Sequence, residues 1–248
     1  MTSSREKEII KLLQDKSPLK IEELARLLQV SEPTVRRDLI AMERKGLILR
    51  ERGGASLPGL GVEPLFTQRQ NQNHELKRNI AKYAASLVKP GDVIALDAGT
   101  TTVELAKELL KLENLTVFTY SMPVAFVLTR SLHDIYVIGG HLRKSEQSMV
   151  GNLAMDMIRQ FNFDYFFMGL GGFNEENGPT DYILDEVEMK RLIIQRSKKV
   201  IALADISKFD NASLVKVCEY EEIDEIVTNI PEKDERERLR FHSNITLV

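Results

Sequence analysis

Residues 97–102 read Asp97-Ala98-Gly99-Thr100-Thr101-Thr102 and follow an apolar run that ends at Leu96. Glycine lets a backbone approach a ligand closely, threonine hydroxyls add donors, and a helix starting here presents free N–H groups and a positive dipole end. That combination suits a phosphate; a threonine-capped turn with no ligand uses the same residues. Other apolar runs end alike, in Ser121, in Gly139-Gly140, in Gly169-Leu170-Gly171-Gly172 and in Asp205-Ile206-Ser207-Lys208. A single glycine signals only a turn. Four loops with small or glycine residues, plus the lysine Lys208, at the same edge describe a rim built for a polar ligand.

A second chemistry lies near the N-terminus. In residues 21–39, Ile21, Leu24, Ala25, Leu27 and Leu28 share one helical face, and Val35, Leu39 and Met42 share another. Gln29-Val30-Ser31 leaves room only for a tight turn. Ser31 is suited to cap the second helix by accepting a first-turn N–H, and Pro33 is tolerated in that turn. Opposite the apolar stripe lie Pro33, Thr34, Arg37 and Ala41, with Arg36 on the flank. Small groups let a helix approach a groove, and arginine reaches a guanine edge or a phosphate. The spacing therefore fits a helix-turn-helix with its second helix in the DNA major groove, and also an ordinary helical hairpin with a solvated face.

The elements that position these residues follow from the pattern around them. Ser3-Ser4-Arg5-Glu6 resembles a capping box ahead of a helix with Ile9, Ile10, Leu12 and Leu13 on its buried side. Lys45-Gly46 supplies a helix stop. Residues 47–55 run from apolar through Arg50 and Arg52 to Gly53-Gly54, the pattern of a β-hairpin whose two arginines point to one side. Three helices and a basic wing make a winged helix-turn-helix. Residues 56–64, rich in glycine and proline, read as a linker, and one long helix is expected from about Phe66 to Val88. We expect domains at 1–57 and 76–248, joined by 58–75.

Beyond Pro90, apolar runs at 93–96, 116–119, 135–138, 165–168, 200–204 and 225–228 alternate with helical patterns at 102–110, 124–130, 153–161 and 185–197. Such alternation predicts an α/β fold with a mostly parallel sheet covered on both faces, binding ligands beyond the carboxyl ends of its strands.

Net charge is −3 overall, but residues 1–56 carry an excess of three positive charges, which places any nucleic-acid contact at the N-terminus. The single Cys218 excludes an internal disulfide and a multi-cysteine zinc site, and the four histidines lack ligand spacing. No metal or cofactor is expected. With neither an 18-residue apolar run nor a signal-peptide pattern after Met1, the expectation is a cytoplasmic protein without membrane contact.

The segment LARLLQVSEPTVRRDLIAMERKGLILRERGGA resembles the DNA-binding domain of the DeoR family of bacterial transcriptional regulators. The resemblance rests on VSEPTVRRDL, the Lys45-Gly46-Leu47 corner and Gly53-Gly54-Ala55; relatives often carry His where this chain has Arg52. LDAGTTTVELAKEL, VIGGHLRK, FMGLGGF and ALADISKF are similar to the family's effector domain, which is related in fold to ribose-5-phosphate isomerases and binds phosphorylated sugars or their breakdown products.

The resemblance implies DNA contacts by Ser31, Pro33, Thr34, Arg36, Arg37, Arg50 and Arg52. It places phosphate at Gly99, Thr100, Thr101 and Thr102, with Asp97 and Lys208 on sugar oxygens or the phosphate. Ser121, Gly139, Gly140 and Gly171 line the same rim, and Arg143, Lys144, Asp181, Glu186 and Lys190 are further neighbours. Asp97 has a second reading as a helix cap, and Glu186 with Lys190 as a surface pair four residues apart.

Two functions fit. One is a regulator, expected to be a homodimer or homotetramer on operator DNA and a repressor released by a phosphorylated sugar. The other is a sugar-phosphate isomerase with an accessory DNA module. Isomerisation needs a carboxylate base beside the reacting carbon, and no spacing among Asp97, Asp181 and Glu186 singles one out. The joined DNA module favours the regulator.

Overall fold

The computed structural model describes residues 4–44, 47–51, 53–56, 63–229 and 245–248. Lys45-Gly46, Arg52, Ser3 of the capping box and most of the proposed linker lie outside them. The chain divides into two compact units, Met1–Gln72 and Asn73–Val248.

The first unit holds α1 (Ser4–Asp15), β1 (Leu19–Lys20), α2 (Ile21–Leu27), α3 (Glu32–Arg44), β2 (Leu49–Glu51), β3 (Gly54–Ser56) and a short α4 (Phe66–Gln70). The apolar stripes of α1, α2 and α3 meet in one core, where Ile9, Leu13, Leu24, Val35, Leu39 and Met42 are buried together with Ile48 ahead of β2. A bidentate pair from Arg5 to Asp38, at 2.6 and 3.1 Å, ties α1 to α3. Strands β2 and β3 form the wing, and β1 adds to β3 as a third antiparallel strand. The two wing glycines do different work. Gly53 turns the hairpin at φ +84°, and a Cβ on Gly54 would lie 2.4 Å from the Leu19 carbonyl oxygen, so only glycine lets β3 lie against β1.

The expected single helix at 66–88 is two. Between α4 and α5 (His74–Ser86), Asn73 takes the left-handed conformation at φ 51°, which an asparagine tolerates and a continuing helix does not.

The second unit is built on a seven-stranded, wholly parallel sheet. Its strands are β4 (Val93–Leu96), β5 (Thr116–Thr119), β6 (Asp134–Val137), β9 (Phe163–Gly169), β12 (Ser197–Leu203), β14 (Glu225–Thr228) and β15 (Ile245–Leu247). Between them stand α6 (Thr100–Leu109), α7 (Met122–Leu128), the hairpin β7 (His141–Arg143) and β8 (Ser148–Val150), and α8 (Asn152–Ile158). After β9 come β10 (Gly172–Asn174), β11 (Gly178–Asp181) and α9 (Leu184–Gln195), and β13 (Val215–Lys216) completes a small antiparallel sheet with β10 and β11.

Helices α5 to α7 pack on one face of the large sheet. On the other, α8 and α9 close a core in which Phe118, Phe166, Met168, Val200 and Ala202 are buried. The expected strands and helices all occur, with ends shifted by a few residues. The hairpin, the small sheet, β1 and β15 were not expected.

Strand order is β15-β14-β12-β9-β4-β5-β6. The chain leaves β4 toward β5 and β6 on one side and returns to place β9, β12, β14 and β15 on the other. The order reverses between β4 and β9, and beyond the carboxyl ends of those two strands an open α/β sheet forms its ligand crevice.

Each unit has a core of its own, and Leu39 sits fully packed in the first. Leu39→Ala is expected to destabilise that unit by about 2–5 kcal/mol. Hydrogen exchange should show protection lost across α1 to α3 and retained in the seven-stranded sheet.

Candidate functional site

Two sites can be built, one in each unit. In the first, α3 buries Val35, Leu39 and Met42 and exposes Ser31, Pro33, Arg36, Arg37 and Ala41 beside the half-buried Thr34. The Ser31 hydroxyl meets the Thr34 hydroxyl at 3.0 Å; it does not accept the first-turn N–H expected of it. Arg36 lies 3.4 Å from Glu32 one turn back, and Arg37 donates from Nε to the Pro33 carbonyl at 3.4 Å. Both contacts are long and exposed, so the guanidinium groups can leave them for a groove at little expense. On the wing, the half-exposed Arg50 pairs with Glu43 at 2.8 Å. Arg52 lies outside the described residues.

The second site sits at the reversal of strand order. Asp97, one residue past β4, is fully buried and accepts from the Ala98 N–H at 2.9 Å, the Gly169 N–H at 2.7 Å, the Tyr120 hydroxyl and the Lys190 ammonium. Lys190 reaches down from α9, donates also to the Gly169 carbonyl at 2.7 Å and pairs with Asp181 at 2.8 Å. Side chains from β4, the end of β5, the end of β11 and α9 thus converge on one point. Glu186 and Lys190 are buried and do not form the surface pair that was one reading of them. Glu186 instead accepts from the Ser148 hydroxyl at 2.5 Å and pairs with Arg143 at 2.6 Å, which fastens the β7–β8 hairpin to α9.

Burial shapes the charges here. It pushes the Asp97 carboxyl above its ordinary range against the pull of Lys190 and Tyr120, and raises the Tyr120 hydroxyl well above its own. Burial also acts to lower Lys190 and to raise Asp181, but the close ion pairs outweigh it, leaving Lys190 raised and Asp181 lowered.

Next to this cluster, Gly99 caps α6 at φ 155° and ψ 165°, a conformation that is nearly glycine's alone. No side chain caps α6, so its first-turn N–H groups have no side-chain acceptor there. The Thr102 hydroxyl lies 2.9 Å from both the Asp97 and Gly99 carbonyl oxygens and braces the loop from within. The hydroxyls of Thr100 and Thr101 make no hydrogen bond among the described residues. Lys208 closes a 3-10 turn that Asp205 caps, its ammonium 5.9 Å from the Tyr182 ring centre and its charge felt at Asp181.

The other expected residues divide by role. Ser121 caps α7 by accepting the Val124 N–H, and bridges to Ser148. A Cβ on Gly140 would meet the Val150 carbonyl oxygen at 2.6 Å, and one on Gly171 the Asp181 Cα at 2.9 Å, so both glycines permit close packing of the rim. Gly139 and Lys144 are exposed and join none of these contacts. Tyr120 and Ser148 were not anticipated. Their only sequence signal is position, one beside Ser121 at a strand end and the other just past VIGGHLRK.

The comparisons with known proteins cover both units. The model of the DeoR C-terminal sensor domain matches residues 72–230, and that of the DeoR-like helix-turn-helix domain matches residues 5–59. The chain belongs to the DeoR family. An HTH-type transcriptional regulator of Haloferax volcanii, GlpR, is 34% identical over 250 aligned positions that span 100% of this chain and 98% of the relative. The GolR regulator of Listeria innocua is 37% identical over 91% of this chain and 89% of its own length. The glycerol-3-phosphate regulon repressor of Escherichia coli is 32% identical over 92% and 91%.

Among solved structures, a ribose-5-phosphate isomerase A from Methanocaldococcus jannaschii aligns with a TM-score of 0.42 at 19% identity, over 56% of this chain and 55% of that one. This DeoR-family protein is a DNA-binding transcriptional regulator, and its curated relatives are regulators of transcription, not enzymes. No helix among the described residues is long and apolar enough to cross a membrane.

Removing Lys190 would leave two buried carboxylates facing each other. Lys190→Met is expected to destabilise the sensor domain by about 3–5 kcal/mol in urea unfolding. The two acids should differ in sign. Asp181, held low, contributes stability above the ordinary carboxylate range that is lost as pH falls through its depressed value. Asp97, held high, contributes stability that is lost as pH rises past that range. Asp181→Asn should therefore flatten the acid-side loss of stability, and Asp97→Asn should deepen it.

Proposed function

We propose that this regulator is a repressor of a sugar-catabolism operon, a cytoplasmic homodimer or homotetramer released from its operator by a phosphorylated sugar or related metabolite. The observation that carries the reading is the α6 N-terminus. A glycine-capped helix start, two hydroxyls with no hydrogen bond among the described residues and a lysine beside Tyr182 whose charge reaches Asp181 accompany the buried carboxylates at the strand-order reversal. Phosphate suits the helix start and Lys208, and sugar hydroxyls suit the polar floor formed by Asp181 and its neighbours. One relative is named a glycerol-3-phosphate regulon repressor, which agrees with this ligand class.

In this reading Asp97 is a positioning residue. Both its oxygens are engaged by groups of the protein, and its part is to hold Gly169 and Lys190 at the floor of the site. The same saturation argues against the isomerase alternative, because a general base needs a free lone pair aimed at the substrate.

Ser31, Pro33, Thr34, Arg36, Arg37 and Ala41 form the proposed groove face, with Arg50 and Arg52 on phosphates. Arg37→Ala is expected to lower operator affinity by about 1–3 kcal/mol and to relax specificity at one base position. Arg50→Ala should weaken all duplexes alike and reduce the salt slope by about one unit. An unchanged affinity and base preference in the Arg36→Ala/Arg37→Ala protein would remove α3 from the groove.

The ligand site makes a separate demand. Thr101→Ala and Lys208→Ala should bind operator as wild type does, yet require at least about ten times more sugar phosphate for release, the loss of one charge-assisted contact. Calorimetry against the phosphorylated sugar and its unphosphorylated parent provides the control. Equal affinities for the two would make residues 99–102 a helix start and nothing more.

A further inference from the structure

Away from both sites, large apolar side chains crowd one edge of the sensor domain. β6 ends the seven-stranded sheet there, and among the described residues no strand pairs with its outer side. Tyr136 and Val137 on β6 are 44% and 45% exposed. One turn apart on the adjacent α7, Met122 and Phe126 are 44% and 73% exposed, and Leu132, between the two elements, is 85% exposed. The hairpin that follows β6 adds Leu142 at 39%, and α8 adds Leu153 at 77%, next to the Ala154 that abuts Gly140.

An edge strand in a protein that stays single is ordinarily blunted by lysine, proline or a bulge. Along β6 the one charge is Asp134 at its first position, and Ile135-Tyr136-Val137 carries no lysine, proline or bulge. The Tyr136 ring is already fixed in a stack on Phe118, with centroids 4.6 Å apart, so little order remains to be imposed on docking.

The area is that of an interface. At roughly 100 Å² for each exposed side chain, the seven offer about 700 Å² per chain, or roughly 1,400 Å² when two such faces meet, within the range of stable protein pairs. A second copy of this chain is the occupant that needs no further assumption. A two-fold axis through a sheet edge sets the same strand antiparallel to itself, with every N–H and C=O finding its counterpart.

We infer that β6 pairs with β6 of a second copy and that Met122, Phe126, Leu132 and Val137 pack across the same two-fold axis. The inference rests on reading the N-terminal unit as the reader of one half-site, because a chain with a single recognition helix binds a two-fold operator as a pair.

Sedimentation of the full chain at micromolar concentration tests it. Wild type is expected to sediment as a dimer or a multiple of one. Phe126→Lys/Leu132→Lys, changing two exposed side chains, should halve the mass with an unaltered circular dichroism spectrum and thermal midpoint, and so should Val137→Lys. Wild-type mass in both variants would overturn the surface and leave the half-site reading standing. Loss of mass in the double variant alone would overturn the strand pairing. A monomeric wild type would overturn the half-site reading together with the surface.

Discussion

The sensor domain depends on one buried ionic contact, the Lys190 ammonium held between Asp97 and Asp181. A parallel sheet leaves a gap beyond its strands where the order reverses, and nothing in strand pairing closes it. Here α9 crosses that gap and lowers a cation into it. Asp97 fixes β4 to β9 by accepting from Gly169, Lys190 donates back to the Gly169 carbonyl, and Asp181 ties in the small antiparallel sheet. Such a cluster is a weak source of net stability, since desolvating the ions offsets most of their attraction. Its value is geometric. Replaced by leucines the floor would still pack, but it would not hold the Gly99 loop and the Asp181 turn in a fixed relation.

That geometry accounts for the division of labour at the rim. The carboxylate nearest the helix start is fully used inside the protein, while the buried Thr100 and Thr101 make no side-chain hydrogen bond among the described residues. A residue can look like a ligand contact in sequence because it stands at the right strand end, and yet serve by holding its neighbours. In the proposed reading Asp97 is such a residue, and the missing side chains of Gly140 and Gly171 admit backbone from the hairpin and from β11.

Much of this was legible in the sequence, and what was not has physical reasons. The large parallel strands and their helices announce themselves by long apolar runs broken at glycines. The α3 face follows from a clear 3.6-residue period, and Val35, Leu39 and Met42 are buried as that period requires. The β7–β8 hairpin was missed because its turn carries no glycine or asparagine; Gln147 takes the positive φ instead, at 56°. The break at Asn73 was missed because it carries no glycine or proline; an asparagine takes the left-handed conformation instead. Lys190 read equally well as a surface residue, since its partners stand 93 and nine positions away and no local pattern brings Asp97 or Asp181 to it. Spacing reveals what shares an element; it is silent on what meets across a sheet.

The two units have one purpose only if ligand binding in one changes the affinity of the other for DNA, and this bounds what the fold must deliver. A ligand moves the equilibrium by its differential affinity for the two states and by no more. Coupling within one chain of about 5–150-fold leaves a tight operator complex only partly released. If two chains pair at the sheet edge as proposed and are released together, the factors multiply and the span becomes roughly 25-fold to 20,000-fold. Pairing through β6 also keeps the carboxyl ends of the strands free, because a sheet edge and the ends of its strands are different surfaces of the same layer. An interface across the strand ends would have covered Gly99 and Lys208. The proposed placement of self-association on the edge would leave each chain free to bind its own ligand while the pair acts on DNA as one body.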